Sequence, residues 1–137
     1  MLTPTRIVLA ALAVLVLIQL VPVTRDNPPD RRGPGASPEV TAVLRRACYD
    51  CHSHETVWPW YSSIAPVSWL VAHDVHEGRE KLNLSTLQDI SAETQVKVRA
   101  KALQEVEEGE MPMWYYLPMH PLAKLSEQDR AVLKTWR

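Results

Sequence analysis

The sequence contains no phenylalanine and only two cysteines, and its charges nearly cancel, at a formal net charge of -1. Each shortage excludes something. A structural zinc site takes four ligands, usually in two pairs, and here the second cysteine pair is missing. A disulfide across two intervening residues would be strained and would close almost no loop. Near-neutrality removes any bulk electrostatic basis for nucleic-acid binding. No stretch shows useful strand-like alternation, and no βαβ pattern accompanies the cysteines, which argues against a thioredoxin-type redox dithiol. No paired carboxylates form a recognisable site and no nucleophile has a base beside it, so no enzyme is expected. Without Phe, the five tryptophans must supply much of the large apolar area.

The two cysteines lie in Cys48-Tyr49-Asp50-Cys51-His52. C-x-x-C-H is the attachment signature of c-type haem. The chemistry needs this spacing, because two thiols on one helical turn can each add to one haem vinyl group. His52 then offers its imidazole as the proximal iron ligand. One covalent haem c per chain is therefore expected, held by Cys48, Cys51 and His52. A flat, apolar, covalently held group would also serve as core for a chain of 137 residues, whose length predicts one domain.

Residues 7 to 23, IVLAALAVLVLIQLVPV, carry no charge. As a helix this run spans about 25 Å, the short end of what a bilayer needs. It reads as a membrane anchor over 1–23, or as a signal peptide with Arg6 as its basic region; the small-x-small cleavage pattern does not follow it. Arg25, Arg31 and Arg32 run contrary to a simple positive-inside count. Haem c attachment overrides that count and places the following domain on the outer, periplasmic side of a bacterial inner membrane, with membrane lipid as one partner. Residues 24–37, TRDNPPDRRGPGAS, have linker composition. The haem domain then covers 38–137.

Four helices are expected in that domain. The first opens at Ser37 as N-cap with Pro38 in first position, and Val40, Val43, Leu44, Ala47 and Cys51 form one stripe. The second starts near Pro66, with Val67, Leu70, Val71 and Val75 on one face, and stops at Gly78. The third runs from an N-cap at Ser91 to about Glu108 with Gly109 as C-terminal cap, turning Val96, Ala100, Leu103 and Val106 inward. The fourth starts at Ser126 with Asp129 as a partial capping box, and Val132, Leu133 and Trp136 form its apolar face.

A sixth iron ligand is sought among Met111, Met113, Met119, His54, His73, His76 and His120. His54 is too close to His52 in sequence to reach the opposite face. Gly109-Glu110-Met111-Pro112 follows a helix end, and Pro112 biases Met111 away from helix, a suitable way to hold a thioether toward iron. Met113 shares that stretch, and His73 and His76 sit three apart on a helix. An open, five-coordinate site is the remaining alternative. Trp58-Pro59-Trp60-Tyr61 reads as a loop closing one edge of the haem pocket. Arg79 and Asn83 could bond a haem propionate or cap a helix. Glu105, Glu107, Glu108 and Glu110 read as a solvated helix end.

With these residues placed, the chain resembles the small bacterial haem-binding domain family of single-haem, membrane-anchored c-type proteins. The resemblance rests on Asn27-Pro28-Pro29 after the apolar lead, CYDCHSHET with WPWYS and IAPVSWL, GREKLNLS, GEMP with the following WYY and HP, and the final helix ending at Trp136. It implies an all-α, cytochrome c-like domain around one haem, similar in layout to class I cytochromes c, behind an N-terminal transmembrane helix. It also implies His52 and Met111 as the axial ligands. The expected function is one-electron transfer between a membrane electron-transfer complex and other redox proteins. A haem-based sensor or an accessory subunit of a membrane redox complex is the alternative, and a peroxidase-like enzyme would need an accessible iron with a distal acid-base group.

Overall fold

The computed structural model describes residues 3–136. Met1 and Leu2 of the expected anchor, and Arg137 of the expected haem domain, lie outside the described residues. Among the described residues the domain is all-α, with six helices and no strand. They are α1 (Pro4–Leu17), α2 (Pro38–Ala47), α3 (Tyr49–His52), α4 (Val67–Lys81), α5 (Ala92–Glu108) and α6 (Glu127–Leu133), with single 3-10 turns between some of them.

Local chemistry sets most boundaries. Ser37 Oγ accepts the Val40 amide at 3.3 Å and Pro38 opens α2. Ser91 caps α5 through the Thr94 amide, and Gly109 ends it at φ 79°, a left-handed conformation that costs glycine nothing. Ser126 and Asp129 cap each other's backbone at the start of α6. The expected first helix is broken in two. Cys48 leaves helical geometry at φ -125°, so Tyr49–His52 forms a separate turn. The second does not stop at Gly78. That glycine stays helical and buried, and the chain turns extended only at Leu82.

The core gathers Val40, Val43, Leu44 and Ala47 of α2, Leu84 and Leu87 of the loop after α4, and Leu133 and Trp136 at the C-terminal end. Each fully buried branched side chain contributes about 1.5–3 kcal/mol relative to exposure. α5 meets this core through Val98, Ala102, Leu103 and Val106. The expected inward stripe is therefore rotated: Val96 is 58% exposed, and it borders a surface groove with Ala100 and Trp136. α6 packs on α2, and Arg46 bonds both the Leu122 carbonyl and, at 2.6 Å, the Asp129 carboxylate.

Residues 24–37 are extended, as their prolines dictate, but they are laid along the domain. The Arg32 amide donates to Ser85 O, Asn27 Nδ2 to Thr56 O, and the Gln88 side-chain amide to Arg32 O. The apolar N-terminal run is helical as α1, followed by a 3-10 turn at Ile18–Leu20 and extended backbone from Val21. No helix among the described residues is long and apolar enough to cross a membrane.

The Ser126 backbone N–H, then the Ser126 hydroxyl and Arg46, hold the Asp129 carboxyl down at about 2. An unfolded Asp takes its proton nearer 3.8, so as pH falls the unfolded state binds protons first. The stability from this carboxylate is complete above about pH 4 and is lost as pH falls toward 2. Ser126→Ala should cost about 1 kcal/mol in urea unfolding and make that acid loss shallower; Asp129→Asn should do the same.

Candidate functional site

The site is built where α3 crosses α4. His52 ends α3, and its Nδ1 lies 2.8 Å from Gly78 O and 3.1 Å from Leu82 O. Carbonyls only accept, so Nδ1 carries the proton and Nε2 keeps its lone pair. A bond from the other ring nitrogen to a backbone carbonyl is what fixes the tautomer of a metal-ligating histidine. Burial lowers the His52 pKa, against the two carbonyl bonds that raise it. The imidazole is thereby kept in the neutral form that a metal requires.

Gly78 makes the crossing possible. A Cβ at this position would sit 2.6 Å from Cys51 O and 3.2 Å from Cys51 Cβ. The two backbones therefore touch, which lets the Gly78 carbonyl reach His52. Cys48 and Cys51 are free thiols on the same short turn. Burial pushes both up to about 12. A C-x-x-C tuned for disulfide exchange has a thiol pKa shifted in the opposite direction.

Cys51 opens onto a cavity of about 380 Å³ between α3, α4 and the segment after α5. Val67, Leu70 and Val71 of α4 form its apolar floor, and of the expected loop Pro59, Trp60 and Tyr61 line one edge while Trp58 does not. Its far wall carries Met113, Tyr115, Tyr116, Met119 and His120. Two carboxylates, Asp50 and Asp74, border it; burial raises Asp74, partly offset by the Tyr115 hydroxyl.

The expected second-ligand residues are distributed unevenly. Met113, Met119 and His120 line the cavity. Met111 does not; it is half-buried against the hydrophobic core, its amide donating to Glu105 O. His73 and His76 are exposed on α4, with His76 3.1 Å from Glu80. His54 donates from Nδ1 to Asp30 O, so its Nε2 accepts from Asn83 Nδ2 at 2.7 Å. Arg79 is also occupied. It donates to Ser53 O, Asp26 O, Asn27 Oδ1 and Thr56 Oγ1. Arg79, His54 and Asn83 thus clamp the extended segment to the loop after His52.

Sequence reasoning missed a polar cluster on the cavity wall. Tyr116 donates to Asp50 at 2.7 Å and stacks on His120, with ring centroids 4.0 Å apart. His120 Nε2 shares a 2.5 Å hydrogen bond with the Tyr61 hydroxyl. Burial, followed by the Asp50 contact, raises the Tyr116 pKa, so the phenol stays protonated. Tyr116 and His120 are four residues apart, but Asp50 and Tyr61 come from two other segments, and nothing local in the sequence marks these as their neighbours.

Gly78→Ala separates two opposed effects. Alanine in a helix gains up to about 1 kcal/mol over glycine. Overpacking against a backbone costs about 1–3 kcal/mol, and the clashing atom here is the Cys51 carbonyl. Net destabilisation is therefore expected in urea unfolding, together with a fall in haem content measured by absorbance per chain.

No curated protein and no solved structure matches the chain. The haem-binding domain family does, over residues 13–137. That span holds the C-x-x-C-H turn, its carbonyl-bound histidine and the cavity beside Cys51. The chain belongs to the haem-binding domain family, and its function is haem-associated.

Proposed function

We propose that the chain is a monohaem c-type cytochrome that carries single electrons. The observation that supports this best is the His52 ring, oriented by Gly78 O and Leu82 O on the turn that carries both cysteines. The residues fit the group. Cys48 and Cys51 would hold haem through two thioethers, His52 would ligate its iron through Nε2, and the apolar cavity would enclose the ring. The indole N–H of Trp58 is buried without a protein partner, and Val57 and Pro59 on either side line the cavity; a cofactor carboxylate would satisfy it. When bound, haem supplies a one-electron couple at iron. The protein's own part is to hold the imidazole at fixed orientation and to exclude water with Trp60, Val67 and Leu70.

A sixth ligand would come from the segment after α5, where Met113, Met119 and His120 line the cavity. The Gly-Glu-Met-Pro turn favours Met111, while the cavity wall favours Met113. A thioether opposite histidine raises the potential relative to a second imidazole. The outer face of a bacterial inner membrane is the proposed location, with α1 and the turn after it as the anchor. The apolar part of that helical rod, residues 7–20, is about 22 Å long, shorter than the roughly 30 Å hydrocarbon core, so the extended apolar residues that follow would have to complete the anchor. A membrane electron-transfer complex and other redox proteins are the proposed partners.

Extraction with acidified organic solvent tests the covalent bond. Haem should stay with the unmutated chain and be released from Cys48→Ser/Cys51→Ser; release from both would refute thioether attachment. Carbon monoxide tests the function. A six-coordinate electron carrier stays inert to CO without denaturant, whereas rapid binding would favour the haem-based sensor.

Met111→Ala and Met113→Ala identify the ligand. The true ligand's variant should lose the weak sulfur-to-iron absorption of the ferric form, bind CO and drop in potential. The other should do none of these.

A further inference from the structure

The N-terminal apolar run is attached to the haem domain at one defined place. Gln19 is the only polar residue of residues 7–23; it is exposed, and its Nε2 donates to Leu15 O at 2.8 Å one turn back, while the same amide also bonds the domain. Its Oε1 accepts the Ala65 amide at 2.9 Å, and its Nε2 donates to Ala65 O at 3.1 Å. Ala65 is buried and lies just before α4. Whatever depth the end of the apolar run takes, the turn at Ala65 takes too.

Exposed apolar side chains flank that turn within five residues of Ala65 in sequence. Ile64 is 47% exposed, Trp69 38% and Trp60 71%. Val67 and Leu70 are also exposed, but they face the cavity, where a bound cofactor would cover them. Ile64 and Trp69 do not line the cavity. A bound cofactor would leave them bare. Arg25 sits at the same end of the domain, bonded to Ser62 O and Ser63 Oγ. Tryptophans beside aliphatic residues with an arginine at the margin have the composition of a membrane interface.

We propose that the end of the haem domain formed by Ile64, Trp69, Trp60 and the start of α4 rests on the lipid surface, held there by the Gln19–Ala65 bonds. The inference rests on the reading of residues 7–23 as membrane-embedded. It goes beyond that reading, because an anchor followed by a free linker would let the domain tumble above the bilayer. It also fixes orientation. Trp60 lies both on the cavity edge and in this patch, so that edge of the haem site faces the membrane.

The experiment uses the full haem-loaded chain in vesicles of phosphatidylcholine and phosphatidylglycerol. Single cysteines carrying a nitroxide are introduced as Leu12→Cys, Ile64→Cys, Trp69→Cys, Val96→Cys and Glu80→Cys. Electron paramagnetic resonance then compares collision with oxygen, which partitions into lipid, against a water-soluble nickel chelate. Position 12 should show the lipid signature, and 64 and 69 should favour oxygen at least threefold over 80 and 96. Lipid exposure at 12 with 64 and 69 matching 80 and 96 would overturn the docking while leaving the anchor standing. A water-exposed position 12 would overturn the anchor and the docking with it. Gln19→Leu keeps the run apolar and removes both bonds. It should at least halve the oxygen preference at 64 without changing position 12, and an unchanged value at 64 would overturn the tether.

Discussion

The bond from His52 Nδ1–H to the carbonyls of Gly78 and Leu82 is the constraint on which the rest of the architecture depends. An imidazole on a four-residue turn has nothing intrinsic to hold it. Its orientation comes from α4, whose C-terminal carbonyls are supplied by helix geometry and by the extended turn at Leu82. For those carbonyls to come within reach, α4 must touch the cysteine turn backbone to backbone, which is why position 78 has no side chain. Once α4 is seated there, its Val67, Leu70 and Val71 face necessarily becomes a cavity wall.

The same economy explains the polar clamps. The loop after His52 has buried polar groups, and Ser53, His54 and Thr56 are all nearly inaccessible. Each needs a partner. Ser53 Oγ donates to Tyr49 O, the His54 amide donates to Ser85 Oγ, and Arg79 collects the Ser53 carbonyl and Thr56 hydroxyl. Arg79 and His54 then have capacity left, and it is met by Asp26, Asn27 and Asp30. A segment whose composition reads as flexible is thus held because the domain beneath it has donors to place. Composition describes what a segment would do alone, and here tertiary donors decide.

What was legible in the sequence followed from local rules. Ser37, Ser91, Ser126 and Gly109 mark helix ends through hydrogen bonds within a few residues of themselves, and the helices begin or stop there. The C-x-x-C-H spacing points to haem, and the haem-binding domain family matches over residues 13–137. The misread positions are those where a distant contact competes with a local signal. Gly78 looks like a helix stop, yet it is a close-approach glycine. Val96 and Ala100 fit a helical stripe, but the core meets α5 at Val98, Ala102 and Val106. The Asp50, Tyr61, Tyr116 and His120 cluster joins three separate segments and has no local signature.

The two kinds of exposed apolar surface on α4 have different physical origins. Helix positions 67, 70, 71 and 75 recur at three- and four-residue spacing, so they share one face, and that face is turned toward Cys51 and the cavity. Covering a half-exposed Leu or Val there contributes a fraction of the roughly 1.5–3 kcal/mol of full burial, which is available to any flat apolar group that the cysteines hold. Trp69 is about 200° around the helix from Val67, and it receives nothing from that group. An exposed tryptophan on the side of α4 away from the cavity therefore marks a second boundary of the domain. The bonded pair Gln19 and Ala65 lies beside that boundary, so the apolar helix, the uncovered tryptophan and the cavity edge belong to one end of the molecule.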